Sequence, residues 1–268
     1  MKNDRLDGLP KRYGSYALVT GASEGIGQSF AEELARAGVN VVLVARRQDR
    51  LNSLAKKLES KYQVMCPVIA ADLSSTEQLE GLLQITNKLD VGLLICNAGF
   101  GTAGNFLDAE IQTELNMLNV NCTAVTRLVH HFGRKFKIKG TGGVILLSSI
   151  VATQGVARSA NYAASKAYVH TLGEGLQQEW HASGIDLLIV APGPVNTGFA
   201  KRSKMQLGKA ASPEVVARQS LKALGSQQCI HPGWLAKGMS LALSIAPRAL
   251  RVKIMSAIMG SMTKHLSH

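Results

Sequence analysis

Short apolar runs alternate with helical stretches along this chain, and this alternation limits the possible folds more than any other feature. The run at residues 16–20 is long enough for a buried strand, and similar runs lie at 40–45, 64–70, 91–96, 143–148, 185–190 and 229–231. Strands that alternate with helices form βαβ units and a parallel sheet. We therefore expect an α/β fold, a single doubly wound αβα sandwich with a parallel sheet of about seven strands.

A glycine cluster follows the first predicted strand and begins the first predicted helix. Gly21 permits a tight turn, Gly25 lets the backbone approach a pyrophosphate, and Gly27 allows the helix to pack closely on the strand. The helix N-terminus offers free N–H donors to phosphate. An ordinary glycine turn is the alternative, but the position between strand and helix favours a dinucleotide site formed by Gly21, Ser23, Glu24, Gly25, Ile26 and Gly27.

Two arginines stand at the end of the second predicted strand, where dinucleotide-binding folds contact the adenosine ribose. Arg46 and Arg47 occupy this place, and no acid follows until Asp49. An acid would select NAD, whereas the permanently charged, planar guanidinium of Arg46 suits a 2′-phosphate and adenine stacking. The sequence therefore predicts NADP(H) in preference to NAD(H). NAD(H), with both arginines solvated at a helix cap, is the alternative.

A serine, a tyrosine and a lysine are the candidate catalytic residues. Tyr162 and Lys166 are four residues apart and therefore share one face of a helix. An ammonium beside a phenol lowers the pKa of the phenol, so such a tyrosine can exchange a proton with an alcohol or carbonyl oxygen. Ser149 ends a strand-like run, where its hydroxyl can hold the same oxygen. Taken alone, the Tyr162–Lys166 spacing also fits an ordinary surface helix.

Together these features resemble the short-chain dehydrogenase/reductase family. The matching motifs cover most of the chain in the family's order: Thr20-Gly21-x-x-x-Gly25-Ile26-Gly27, Asp72-Leu73, Asn97-Ala98-Gly99, Asn121, Ser149, Tyr162-x-x-x-Lys166, and Pro192-Gly193 followed by Thr197. Ser149 precedes Tyr162 by 13 residues, a spacing common in that family. The resemblance implies a Rossmann-type fold and a hydride transfer between NADPH and a carbonyl or secondary alcohol.

The resemblance also implies a role for each catalytic candidate. Tyr162 would be the acid–base, and Lys166 its partner and a ligand of the nicotinamide ribose. Ser149 would orient the substrate oxygen; Ser148 competes with it, but the spacing to Tyr162 favours Ser149. Asn121 would support a water-mediated proton relay to Lys166.

Further cofactor contacts follow from the same resemblance. Asp72 would face the adenine, and Thr197 would lie near the nicotinamide carboxamide. Asn119 is a second candidate for the relay, although Asn121 fits the family's pattern better. Beside the glycine cluster, Arg46, Tyr162 and Lys166, the implied contacts are Asp72, Leu73, Asn97, Ala98, Gly99, Pro192, Gly193, Val195 and Thr197.

Nothing in the composition divides the chain. Its 268 residues are 46% hydrophobic, enough for one large core, and no linker or repeat interrupts them. We expect one domain over 1–268, with the cofactor half at about 14–150 and the substrate half with a basic, apolar extension at about 150–268. Four scattered cysteines without paired spacing predict reduced thiols and no metal site. Residues 1–12 contain no apolar run, which predicts a cytoplasmic protein.

The net charge of +12 is concentrated in the last third of the chain, where residues 187–268 hold eleven Lys or Arg and one acid, Glu214. Such a field attracts anionic ligands, membranes or nucleic acid. Nucleic acid is disfavoured because Phe199 and Trp234 are the only aromatic residues of this region. A basic, apolar substrate end favours an acyl thioester; a steroid, a retinoid or a small aldehyde is the alternative. A non-enzymatic scaffold is disfavoured because Tyr162 and Lys166 are both present.

The region beyond Pro232 permits two interpretations. From Pro247 onward, Leu250, Ile254, Ala257, Ile258 and Ser261 follow a helical spacing. Such a helix packs on its own domain or a second subunit, or it covers a lipid-like substrate or lies on a membrane surface. The family resemblance implies that residues 199–211 form a mobile flap over the substrate and that the protein is a homodimer or homotetramer.

Overall fold

Seven parallel strands form one sheet in the computed structural model, which describes residues 5–203, 205, 206, 208 and 210–266. The spatial order is β3-β2-β1-β4-β5-β6-β7. The strands are β1 Tyr16–Thr20, β2 Asn40–Ala45, β3 Val68–Ala70, β4 Val91–Cys96, β5 Gly142–Leu147, β6 Ile185–Val190 and β7 Cys229–Ile230. The order reverses between β1 and β4, which is the point where doubly wound folds open a binding cleft. The predicted fold class is confirmed.

Helices cover both faces of this sheet. They are α1 Leu9–Tyr13, α2 Gly25–Arg36, α3 Gln48–Tyr62, α4 Thr76–Thr86, α5 Ile111–Leu118, α6 Ala124–Lys139, α7 Ala160–Trp180, α8 Gly198–Arg202, α9 Pro213–Ala223, α10 Trp234–Ile245 and α11 Arg248–Met262. Alternate residues of β2 point to opposite faces of the sheet and pack in two separate cores. Val41 and Leu43 pack with α2, α3 and α9, whereas Val42 and Val44 pack with α4, α6 and α7. Residues buried on both faces explain the unbroken apolar runs of the sequence.

Three elements differ from the sequence-based expectation. The third strand begins only at Val68, because Pro67 has no N–H to donate to a neighbouring strand. The long helix expected near 109–136 is divided into α5 and α6 by a π-helical turn, Asn119–Thr123. Ser149 does not end a strand; it lies two residues beyond β5, and its Oγ accepts a hydrogen bond from Val151 N at 3.4 Å.

The segment expected to form a flap begins with the short helix α8. Lys204 and Lys209 of this segment lie outside the described residues. The backbone of Gln206 donates to Met262 O at 3.0 Å, so the segment contacts the end of α11. Its mobility stays a prediction.

The C-terminal helices pack against the cluster of buried residues around Tyr162. Met255 and Met259 of α11 are buried in one cluster with Tyr162, together with Ala236 and Leu243 of α10. The stripe suggested by the spacing is therefore not the buried face of α11: Leu250, Ile254, Ala257 and Ser261 are exposed, and Ile258 is partly buried. None of the helices among the described residues is both long and apolar enough to span a bilayer.

Gly92 of β4 provides a test of this packing. A Cβ atom at this position would lie 1.2 Å from Tyr13 O, a backbone atom that cannot move aside without displacing α1. We expect Gly92→Ala to lower the free energy of unfolding by at least ~3 kcal/mol and Tm by roughly 10 °C in a thermal melt. Gly238→Ala is the control, because no atom lies within 4 Å of a Cβ at that position in α10. This variant should be slightly more stable than the wild type, since alanine favours a helix more than glycine does. An unchanged Tm for Gly92→Ala would contradict the position of α1.

Candidate active site

A cleft of about 370 Å³ opens at the carboxyl ends of the strands, across the reversal point of the sheet. It is lined by nearly all the residues that the sequence singled out. Two of them, Gly27 and Asn121, lie behind its wall rather than on it. The remaining predicted residues that line it are Gly21, Ser23, Glu24, Gly25, Ile26, Arg46, Asp72, Leu73, Asn97, Ala98, Gly99, Ser149, Tyr162, Lys166, Pro192, Gly193, Val195 and Thr197.

The turn between β1 and α2 has a shape that only glycine permits. Gly21 and Gly25 have φ angles of +68° and +59°, in the left-handed region. A Cβ at Gly27 would lie 2.2 Å from Gly21 O, and one at Gly25 would lie 2.9 Å from Thr197 Cγ2. The turn is thus bare of side chains where α2 presents its unpaired N–H groups. This cradle fits the pyrophosphate of a dinucleotide.

A buried hydroxyl joins the two strands at the reversal point. Thr20 Oγ1 accepts hydrogen bonds from Asn97 N and Ala98 N, each at 3.0 Å, and donates to Ile95 O at 3.2 Å. Asn97 Nδ2 donates in turn to Thr20 O at 2.9 Å. The residues after β4 are therefore held against the glycine turn, which explains why Asn97 and Ala98 form the floor of the cleft.

Arg46 and Arg47 have different environments. Arg47 Nη2 lies 2.8 Å from Glu24 Oε2 and donates to Ser23 Oγ at 3.1 Å. Arg46 lines the cleft, is exposed, and forms no hydrogen bond or ion pair with any residue that the structure describes. Its guanidinium is therefore available to an anion bound in the cleft. These residues fit a dinucleotide that carries a 2′-phosphate.

Glu24, assigned to the cofactor in the sequence analysis, binds arginines. Its carboxylate also contacts Arg50 Nη1 at 3.2 Å and Arg202 Nη1 of α8. A Cβ at Gly198, the first residue of α8, would lie 3.0 Å from both carboxylate oxygens. Glu24 thus joins the glycine turn to the helix that follows Thr197. It lines the cleft, and its contact with a cofactor stays a prediction.

Asp72 likewise has an internal partner. Its Oδ1 accepts hydrogen bonds from Ser74 N at 2.9 Å and Ser74 Oγ at 2.8 Å, which shapes the turn after β3. The side chain lines the cleft beside Leu73.

Tyr162 lies in the first turn of α7 and is buried against Phe199, with the ring centroids 5.4 Å apart. Burial raises the pKa of its phenol to about 12, and the hydrogen bond with Ser149 opposes this effect. The sequence predicted the opposite, a pKa lowered by Lys166. That expectation is wrong for this structure: burial is the largest influence on the pKa of the phenol, and Lys166 Nζ lies 5.9 Å from the centroid of the Tyr162 ring. A phenol with this pKa is protonated at neutral pH and can donate a proton.

Lys166 is buried one helical turn after Tyr162. Its Nζ donates to Leu147 O at 2.8 Å, and burial lowers the pKa of its ammonium to about 8. Its own backbone carbonyl accepts from Ser148 Oγ at 3.0 Å, which fastens α7 to the end of β5. The hydroxyl of Ser148 therefore has a structural partner in the backbone of α7, whereas Ser149 contacts Tyr162.

The π-helical turn buries Asn121 beside this pair. Its Oδ1 accepts from Phe100 N at 3.1 Å, and its Nδ2 donates to Phe100 O at 2.9 Å and to Ser165 Oγ at 3.0 Å. A Cβ at Gly99 would lie 2.9 Å from Asn121 Oδ1 and 3.4 Å from Lys166 Nζ. Asn121 therefore links the loop after β4 to α7, next to the lysine.

The sequence analysis missed the apolar end of the cleft. Beyond Tyr162 its wall consists of aromatic and methionine side chains: Phe100, Phe199, Met205, Met239, Met255, Met259 and Met262. Three of these methionines follow one another at positions i, i+4 and i+7 of α11, a helical stripe that was visible in the sequence. Flexible thioethers make this wall adaptable to large apolar ligands.

A nucleotide cradle that leads to a buried tyrosine, a lysine and an apolar wall places the protein among the nicotinamide-dependent oxidoreductases. Residues 15–208 match the family model described as short chain dehydrogenase. The chain therefore belongs to the short-chain dehydrogenase family, as the motifs predicted. It is an NAD(P)-dependent oxidoreductase that transfers a hydride between its cofactor and a carbonyl or secondary alcohol.

Curated relatives and solved structures resemble the chain over most of its length. A 7beta-hydroxysteroid dehydrogenase of Clostridium sardiniense is 31% identical over 221 residues, 81% of this chain and 85% of the relative. The very-long-chain 3-oxoacyl-CoA reductase-A of Danio rerio is 33% identical over 225 residues, 82% of this chain and 70% of the relative. A short-chain dehydrogenase from Sphingobium yanoikuyae, solved in complex with NADPH, has a TM-score of 0.79 at 28% identity, covering 87% of this chain and 97% of that one.

The buried ammonium of Lys166 predicts a pH-dependent stability. Its pKa falls from 10.5 in the unfolded chain to about 8 in the folded one, so the folded protein loses this proton first as the pH rises. We compare the free energy of unfolding of the wild type with that of Lys166→Met. The difference should change in favour of the wild type by up to ~1.4 kcal/mol per pH unit as the pH rises from about 8 to 10.5, and it should not change below about pH 8. Urea unfolding of both proteins across this range measures the difference, with the exposed Lys237→Met as control. A difference that does not change with pH would contradict the burial of the charge.

Proposed function

We propose that the protein is an NADPH-dependent reductase of bulky, apolar ketones. One arrangement supports this proposal above all: a protonated Tyr162, in contact with Ser149, lies between a cleft that fits a dinucleotide and a wall of methionines. A protonated phenol at the apolar end can donate a proton to a carbonyl oxygen, as the reduction of a ketone requires.

Most residues of the proposed cofactor site belong to 14–150, except at the nicotinamide end, and most of the substrate wall comes from residues beyond 150. The glycine turn and the N-terminus of α2 hold the pyrophosphate, and Arg46 pairs with the 2′-phosphate. The loop after β6 closes over the nicotinamide end with Pro192, Gly193, Val195 and Thr197. Bound there, NADPH supplies a hydride to the carbonyl carbon of the substrate.

The protein's own groups act on the carbonyl oxygen. Tyr162 donates its phenolic proton to this oxygen, and the Ser149 hydroxyl holds it and stabilises the charge that develops. The positive charge of Lys166 favours the phenolate that remains. Asn121, through its bonds to Phe100 and Ser165, keeps the turn beside Lys166 in place for a proton relay.

We favour a substrate with a long apolar body and an anionic carrier, such as a 3-oxoacyl thioester. The methionine wall suits the apolar body, and the basic last third of the chain favours the carrier. A steroid is the second candidate, supported by the 7beta-hydroxysteroid dehydrogenase among the relatives. A panel of 3-oxoacyl thioesters, steroids and small aldehydes, assayed with NADPH, ranks them. Equal rates with and without the anionic carrier would argue against the thioester.

A homodimer or homotetramer is part of the same proposal. The outer side of α5 exposes Ile111 and Leu115, which gives the apolar surface that such an assembly would bury. Light scattering on the purified chain tests it. A cytoplasmic location likewise stays a prediction from the sequence.

Removing the Tyr162 hydroxyl tests the chemistry. Tyr162→Phe should retain NADPH affinity but lose turnover by roughly 10²- to 10⁴-fold, because the proton donor is absent. Fluorescence titration with NADPH and steady-state kinetics on the best ketone measure the two effects. Tyr168→Phe, on an exposed position of the same helix, is the matched control. A Tyr162→Phe protein that keeps most of its kcat would end the assignment.

Replacing Arg46 tests the cofactor preference. Arg46→Ser should raise the KM for NADPH roughly 10- to 100-fold through loss of a charge-assisted hydrogen bond, and leave the KM for NADH nearly unchanged. Arg50→Ser is the control, since Arg50 pairs with Glu24. If Arg46→Ser raised both KM values equally, Arg46 would not be the residue that selects the phosphate.

A further inference from the structure

The outer surface of α10 and the first half of α11 is apolar and exposed. Trp234, Leu241 and Ile245 are 74%, 68% and 81% exposed, and they stand at positions i, i+7 and i+11, which places them along one line of α10. After the two-residue link of Ala246 and Pro247, Leu250 and Ile254 continue on α11 with 47% and 38% exposure. We call these five residues, with the bases beside them, the C-terminal face.

This exposure does not result from helices that are detached from the fold. The opposite sides of α10 and α11 bury Leu243 and Met259 in the cluster around Tyr162. Polar contacts hold α11 in place: Ser256 Oγ accepts from Ala157 N at 2.9 Å, and Thr263 O accepts from Arg158 Nη1 at 3.3 Å. Each helix therefore has one face inside the protein and a second apolar face, which is exposed on α10 and partly exposed on α11.

Charge on the same segment is of one sign. Residues 234–266 contain five Lys or Arg and no acid. Two exposed bases share a side with the apolar residues: Lys237 stands three residues after Trp234, and Lys253 stands three residues after Leu250. Clustered bases next to Trp, Leu and Ile are typical of segments that lie at a membrane interface.

We propose that the C-terminal face docks on an anionic lipid bilayer. The bases meet the lipid phosphates and carboxylates while Trp234, Leu241 and Ile245 enter the boundary between headgroups and acyl chains. A second copy of the same face is a poor partner, because a two-fold contact would bring bases against bases with no acid between them. Nucleic acid would satisfy the bases but would leave the aliphatic residues in water.

The docking is interfacial. With 12 residues, α10 is only about 18 Å long, short of the hydrocarbon thickness, and it is anchored on one side by the protein core. Its axis therefore lies in the plane of the surface. The inner faces of α10 and α11 carry Met239, Met255 and Met259 of the cleft wall, so docking brings the substrate end next to the bilayer. This last consequence rests on the proposed function, whereas the docking itself does not.

Vesicle binding of the full chain tests the proposal without any assay of activity. The protein should float with vesicles that contain phosphatidylserine, and bind vesicles of pure phosphatidylcholine roughly tenfold or more weakly. Salt should release it through screening. Tryptophan emission should shift to the blue on binding, and Trp234→Phe should remove most of that shift, because the second tryptophan, Trp180, packs against the core beneath α6.

Matched pairs of variants separate the two contributions. Leu241→Gln with Ile245→Gln should weaken binding at least about tenfold through lost apolar burial, and Lys237→Gln with Lys253→Gln by roughly tenfold through lost charge. The controls change equally exposed residues elsewhere: Ile85→Gln with Ile138→Gln for the apolar pair, and Lys56→Gln with Lys88→Gln for the basic pair. NADPH affinity and Tm should stay at the wild-type values in all four.

Three results would overturn the proposal. The first is a wild type that does not bind anionic vesicles, and the second is binding that the control pairs weaken as much as the C-terminal pairs. The third is a wild-type oligomer that Leu241→Gln with Ile245→Gln dissociates in the absence of lipid, which would assign the face to a second copy of the chain. Reductase activity with NADPH can be present or absent in each case, so failure of docking is distinguishable from failure of the proposed function.

Discussion

The parallel pairing of β1 with β4 is the contact on which the site depends. The chain winds outward in one direction from β1 through β3, returns to pair β4 with β1, and then winds outward in the other direction. A cleft opens where the winding reverses, and the hydrogen bonds of Thr20 fix its two edges to each other. The glycine turn and the floor at Asn97 and Ala98 take their positions from this junction, and hydrogen bonds from Ser148 and Asn121 hold α7 with its tyrosine beside them.

Burial sets the chemistry at the far end of the cleft. Water would keep the pKa of a phenol and an ammonium near their ordinary values, but the packed surroundings raise the pKa of Tyr162 and lower that of Lys166, favouring the uncharged form of each. Tyr162 packs closely against Phe199, and Lys166 donates a hydrogen bond to Leu147 O. These contacts fix both side chains in place and keep them in the buried surroundings that shift their pKa values.

Local patterns made most of the fold predictable, because a buried parallel strand and a glycine turn have strong sequence signatures. Six of the seven strands were expected within about two residues, which is within the usual uncertainty of element boundaries. The Tyr162 pKa could not be predicted, since a spacing of four places Lys166 nearby but says nothing of how much water surrounds either group. The three partners of Glu24 were also invisible, because Arg47, Arg50 and Arg202 approach it only after folding.

The C-terminal helices show the limit of periodicity as a guide to burial. In α11 both a methionine stripe and an aliphatic stripe follow helical spacing, and hydrophobicity alone favours Leu250 and Ile254 for the core. The structure buries Met255 and Met259 instead, on the side of α11 that lines the cleft, and the aliphatic stripe is left outside. A sequence that had to satisfy only the core would carry polar residues at those outer positions. Apolar residues and bases in one segment without an acid are the observations on which the proposed docking to an anionic bilayer rests.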